Sequence, residues 1–132
     1  MKQLLTLLLV ACLGACSAQK SEEHTVILTH RAMFGVSYDS ASTTIDTTFF
    51  CGPEAAIFKW TPKTVTLSNE RGVVEVPIQS RISAGVFVLS TEDSIPVILH
   101  IYEDKNHDYL IYFQKRNVIT RFSTTSVPCD EL

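Results

Sequence analysis

Thr64-Val65-Thr66-Leu67-Ser68-Asn69-Glu70-Arg71-Gly72-Val73-Val74-Glu75-Val76-Pro77-Ile78 is the stretch whose pattern decides the fold. Val65 and Leu67 alternate with Thr64, Thr66 and Ser68, and Val74, Val76 and Ile78 alternate with Val73, Glu75 and Pro77. A period of two puts each apolar set on one face of a strand. Between the runs, Asn69-Glu70-Arg71-Gly72 has the composition of a tight turn, because asparagine and glycine tolerate left-handed backbone. The segment predicts two antiparallel strands joined as a hairpin.

The same grammar extends in both directions. Upstream, residues 25–29 are β-branched and apolar, and residues 33–38 are their continuation or their partner. Residues 40–48 are rich in Ser and Thr and lead to Phe49 and Phe50. Cys51-Gly52-Pro53-Glu54 is predicted as a turn from its Gly-Pro pair, and residues 55–60 as a short apolar piece whose Ala-Ala start tolerates one helical turn. Downstream, residues 86–89, 95–102, 109–113 and 118–122 are apolar runs, with a polar loop at 103–108. No segment sustains a 3.6-residue period. Short strands with turns every 8–12 residues predict an all-β domain: an antiparallel meander of about seven to nine strands, closing as a barrel or folding as a sandwich. Proline cannot donate to a ladder, so Pro77 and Pro96 belong at edges, bulges or strand starts, and the barrel is expected to have an open seam.

The N-terminus has a different logic. Lys2 precedes about a dozen apolar residues, from Leu4 to Ala15, and then a cysteine. This is the order of a secretory signal, and the run is too short for a bilayer, which needs roughly 20 residues. Leu13-Gly14-Ala15-Cys16 resembles the lipobox of bacterial lipoproteins. The resemblance implies that residues 1–15 are removed, that Cys16 receives the lipid, that residues 16–23 form a lipidated tether and that 24–132 is one all-β domain. Leu9-Val10-Ala11-Cys12 fits the same pattern with a shorter apolar region, so Cys12 is the alternative. An ordinary signal peptide cut after Cys16-Ser17-Ala18 is the other reading. Ser17 stands where an aspartate favours inner-membrane retention in enterobacterial lipoproteins, so for a source with an outer membrane the resemblance implies that membrane, facing the periplasm or the cell surface. One acyl chain binds only reversibly, at about 0.8 kcal/mol per methylene, whereas two or three make attachment stable. Seven tether residues at about 3.6 Å each reach roughly 25 Å. The C-terminal Cys129-Asp130-Glu131-Leu132 differs from Lys-Asp-Glu-Leu at its first position and is read as coincidence.

Loss of 15 residues from 132 leaves 117, enough for one core. Loss of Lys2 moves the net charge from −3 to −4. An acidic domain without a basic cluster excludes nucleic acid as the expected partner. Beyond the two lipobox candidates only Cys51 and Cys129 remain, and export puts them where thiols pair. A disulfide between them would close a loop of roughly 80 residues and stabilise the fold by about 4 kcal/mol.

Chemical motifs are sparse. Cys51-Gly52-Pro53 is similar to the thioredoxin turn, but Glu54 replaces the resolving cysteine, so a bridged cysteine is expected. Asp104-Lys105-Asn106-His107-Asp108 starts like a calcium loop, yet Tyr109 and Lys115 occupy the positions that need glycine and an acid, which leaves a hairpin turn. His100 and His107, with Glu103 or Asp108, lack a zinc spacing, and His24 and His30 have no pattern. No serine sits in a Gly-x-Ser-x-Gly elbow, and Glu92-Asp93 and Glu103-Asp104 are adjacent turn carboxylates. No catalytic residue, metal or cofactor is therefore expected, and the chain is not read as an enzyme. Phe49, Phe50, Phe58 and Trp60 are expected in the core or rim, or at a ligand mouth if exposed together.

In strand pattern alone the domain resembles the small calycin-like barrels of exported lipoproteins. It also invites comparison with c-type lysozyme inhibitors, whose Ser-Gly-x-x-Tyr signature is reduced here to Ser83-Ala84-Gly85-Val86-Phe87. The expected function is a non-enzymatic, lipid-anchored binding domain for a protein, a glycan or a small apolar ligand. The alternatives are a carrier with its ligand inside the barrel, and an envelope hydrolase or lysozyme-inhibitor-like protein. A hollow interior would favour the carrier, and a solid interior with an exposed aromatic face a protein binder.

Overall fold

The computed structural model describes residues 23–132, so the signal segment, Cys12, Cys16 and the tether up to residue 22 lie outside the described residues. Eight strands follow in order: β1 (His24–Tyr38), β2 (Thr43–Trp60), β3 (Thr64–Asn69), β4 (Gly72–Ser83), β5 (Val86–Leu89), β6 (Val97–Glu103), β7 (Tyr109–Lys115) and β8 (Val118–Ser123). Each pairs antiparallel with the next and β8 returns to β1, so the meander closes as a barrel.

Tight turns dictate this path. Asn69 pairs with Gly72, Ser83 with Val86 and Lys115 with Val118, leaving two residues at each bend. Gly85 (φ 73°) and Arg116 (φ 53°) supply left-handed backbone at two of them. The 103–108 loop is the hairpin turn expected: Asp104 Oδ1 accepts from the Asn106 and Asp108 N–H groups, and His107 has a φ of 61°. Pro96 directly precedes β6, and Pro77 pairs with Thr64 just before a register shift in β4, both positions that need no ladder donor.

Three expectations are corrected. Cys51-Gly52-Pro53-Glu54 is not a turn but the middle of β2, and residues 55–60 extend the same strand without a helical turn. Here β2 has one neighbour only, since it pairs with β3 from Ile57 onward, so backbone groups on the other flank need no β3 partner. The seam expected from Pro77 and Pro96 does not form, because β1 and β8 close the ring. The irregularity lies instead where β2, before Ile57, parts from β3.

Two hydrophobic clusters result. Val26, Leu28, Ala56, Phe58, Val65, Leu89, Leu99, Ile111 and Phe122 form the interior, with Trp60, Phe87, Ile101 and Tyr109 packed around it. Ala32, Phe34, Val36 and Ile119 form a second cluster on the outside. Both draw on even-numbered residues of β1, although direct cross-strand partners share a face of a sheet. A register shift between Leu28 and His30 makes the switch, as bulges re-aim side chains. Beyond it, Arg31 shares a row with Phe122 and Ile111 and points inward, while Ala32 shares a row with Cys51, Arg121 and Tyr112 and points outward.

The C-terminal tail covers that outer cluster. Cys129 is bonded to Cys51, with Cα atoms 5.9 Å apart, so the expected disulfide is present and fastens the tail to β2. Arg121 is only 3% exposed, sits 5.2 Å above the Phe34 ring and donates from Nη2 to Pro128 O (3.2 Å) and from Nη1 to Glu131 O. A buried guanidinium is tolerable because carbonyls of the strap receive its protons.

Candidate functional site

The interior of the barrel is not filled. A cavity of about 680 Å³ lies among Phe58, Leu67, Val76, Leu89, Phe113 and Phe122, which come from six different strands. This is within the roughly 300–1,000 Å³ of small-molecule sites, and the walls are apolar as such sites are. Eight strands make an interior that side chains can fill or that can hold one small ligand. Short side chains such as Val65, Val74, Val76 and Val97 on the lining face of β3, β4 and β6 leave the space open.

One end of the cavity is polar. In an up-and-down meander alternate turns lie at the same end, and Asn69 and Arg71 from the β3–β4 turn, Thr91 from the β5–β6 connection, and Lys115 and Arg116 from the β7–β8 turn all line it. Lys115 also holds Asp93 of that connection in an ion pair, and this bond pulls the Asp93 carboxyl down to about 2, so it is anionic at neutral pH. At the opposite end, beside a second recess of about 600 Å³, His24 stacks on Trp60 at 4.8 Å, and Trp60 meets Tyr109 edge-on at 6.0 Å.

Two charges enter the lumen from the side. Arg31 and Glu54 have side chains only 11% and 19% exposed, and Arg31 Nε lies 2.7 Å from Glu54 Oε2. The contact is out of line for a hydrogen bond, and neither atom has another partner among the described residues. Arg71 approaches the other oxygen of Glu54 at 3.8 Å. The Arg31 guanidinium also lies 4.4 Å from the centre of the Phe50 ring, a cation–π contact. A recess of about 550 Å³ on the flank where β2 leaves β3 shares Glu54, Asn69 and Arg71 with the lumen.

The residues singled out from sequence fall in several places. Cys51 and Cys129 are outside, holding the strap. The four aromatics do not form one group: Phe58 is buried and packs at 5.3 Å against Trp60 at the far end, Phe50 lies under Arg31, and Phe49 alone is largely exposed, at 59%. His100 lies on the outer face, stacked on Tyr102, and burial lowers its pKa. His107 pairs instead with Glu103, at 2.8 Å. Among the described residues no group of three metal-ligating side chains converges. Sequence reasoning missed Arg31, Glu54, Arg71, Lys115 and Arg116. For the last three a signal existed, since alternate turns of a meander share an end. For Arg31 none did, because its inward aim comes from the bulge.

Fold and cavity together define a class: a small, closed, eight-stranded antiparallel barrel with a hollow apolar interior open at a basic end. No known family, curated protein or solved structure matches this chain.

Proposed function

We propose that this chain is a lipid-anchored cell-envelope protein whose barrel carries a small apolar ligand, without catalysing a reaction on it. The observation that carries the reading is the 680 Å³ apolar cavity, because burying side chains there would otherwise contribute stability that the protein forgoes. The anchor rests on Leu13-Gly14-Ala15-Cys16 behind an apolar leader, with Cys12 as the alternative, and on the exported character that a Cys51–Cys129 disulfide fits. An outer-membrane location follows from Ser17 within the same reading.

The test has two parts. The chain extracted from its native envelope should contain a co-purifying apolar small molecule, detected by mass spectrometry. Leu67→Trp, which fills the lumen, should lose that molecule while retaining the disulfide and the β-sheet circular dichroism. Equal loading of both proteins, or an empty wild type, overturns the carrier. Intact mass should show a chain beginning at lipidated Cys16, and a mature chain still starting at Met1 overturns the anchor.

A further inference from the structure

Resting on the carrier reading, we infer that the ligand of the lumen is an amphiphile with an anionic head, a carboxylate or a phosphate, bound by Arg31, Arg71 and Arg116 with its alkyl chain in the barrel.

The chain as a whole is acidic, at −3, yet the residues lining this cavity include four cations, Arg31, Arg71, Lys115 and Arg116, and one carboxylate, Glu54. Asp93 cancels Lys115, and Glu54 offsets only one of the two arginines beside it. Arg116 has no ion pair among the described residues and is exposed at the rim. An excess of positive charge at the mouth of an apolar cavity in an acidic protein attracts anions and repels cations.

The Arg31 guanidinium is largely withdrawn from solvent, and its Nε contact with Glu54 is not aligned for a hydrogen bond. Its two terminal nitrogens bond to no described residue and stay reachable by solvent, so a ligand can meet them. A guanidinium presents five donors in a fixed fork that matches carboxylate and phosphate oxygens. A desolvated Nε–H without an aligned acceptor is costly, and an anionic head entering from the rim would give the fork its acceptors. The Arg31 guanidinium carbon over the Phe50 ring, 4.4 Å from its centre, restrains the group by a cation–π contact.

Arg71, Lys115 and Arg116 lie at one end, Arg31 enters from the flank beside Glu54 and Arg71, and the rest of the lumen is lined by Phe58, Val65, Val76, Leu89 and Phe113. A head at the rim and an apolar body below it is the arrangement that satisfies both parts. A wholly apolar ligand would leave Arg31 unrelieved, and a wholly polar one would face the valine walls.

The test uses the exported full chain carrying Cys12→Ser and Cys16→Ser, so that no detergent competes. Four probes with the same alkyl length are compared by calorimetry: hexadecanoate, hexadecyl phosphate, hexadecanol and hexadecyltrimethylammonium. One or both anions should bind at least about tenfold more tightly than the alcohol, and the ammonium most weakly, since tenfold corresponds to about 1.4 kcal/mol. The better anion identifies the head. Arg71→Gln and Arg116→Gln, both at the exposed rim, should each lower the ratio of anion to alcohol affinity, and Arg31→Gln should lower it most if that variant folds. Arg81→Gln, at the far end of the barrel, should leave the ratio alone. Alcohol and anion binding alike would overturn the anionic head and leave the carrier standing, and preference for the ammonium would do the same. Failure of all four probes would overturn both.

Discussion

At the residue scale, single side chains and dihedrals decide two of the turns. His107, between Asp104 and Asp108 in the β6–β7 loop, bonds to Glu103, which raises its pKa, and the same bond lowers that of Glu103. The stability due to the raised His107 is complete below its ordinary 6.5 and is lost as pH rises through the folded value. The stability due to the depressed Glu103 is complete above its ordinary 4.5 and is lost as pH falls through the folded value. The pair therefore holds the turn best between those limits, and both groups are solvent-exposed. An NMR titration should find His107 above a free histidine, and Glu103→Gln should return it to the ordinary range. Gly85 is the second case. A Cβ there would lie 2.6 Å from the Ile101 carbonyl oxygen, in a backbone with φ 73°, whereas one on Gly72 meets nothing within 4 Å. Gly85→Ala should cost about 1–3 kcal/mol in urea denaturation, and more than Gly72→Ala.

At the element scale the unusual parts are β1, β2 and the tail. β1 serves two cores because of one register shift, and its outer half is buried by Ile45 and Tyr112 together with the strap that Cys129 ties to Cys51. The bridge spans 78 positions, so replacing both cysteines by serine should lower stability by about 4 kcal/mol at equilibrium. Amide exchange should rise first in residues 32–36 and 119–121, where the strap lies over Phe34 and Arg121, and not at Leu99 or Ile111 inside the barrel. The disulfide itself was legible from counting cysteines under the export reading. Its partner strand was not: Gly52-Pro53 has the composition of a turn, and only the missing β3 neighbour lets β2 run through it.

At the scale of the whole molecule, the barrel is an acidic body with a basic rim. If the head of the ligand is anionic, raising salt from about 0.15 M to 1 M shortens the screening length from about 8 to 3 Å and should weaken hexadecanoate more than hexadecanol. Asp93→Asn should strengthen anion binding, because Asp93 is ionised at all but the lowest pH and neutralises Lys115 at the rim. Ligand at a hundred times its dissociation constant should stabilise the fold by about 2.7 kcal/mol, seen as a raised melting temperature.

Alternation in residues 64–78, the turn residues after each run and the cysteine count were enough to establish an all-β meander and its single cross-link, because strand period, turn chemistry and thiol pairing are local or arithmetic properties. Hollow or solid was not decidable that way, since it depends on how side-chain volumes from eight strands sum around a closed ring. Nor was the aim of Arg31, which a single register shift turns from the surface into the lumen, or the meeting of Glu54, Arg71, Lys115 and Arg116, separated along the chain and joined only by closure. Pairing between β1 and β8 is the longest-range contact in the fold, and the cavity exists because of it.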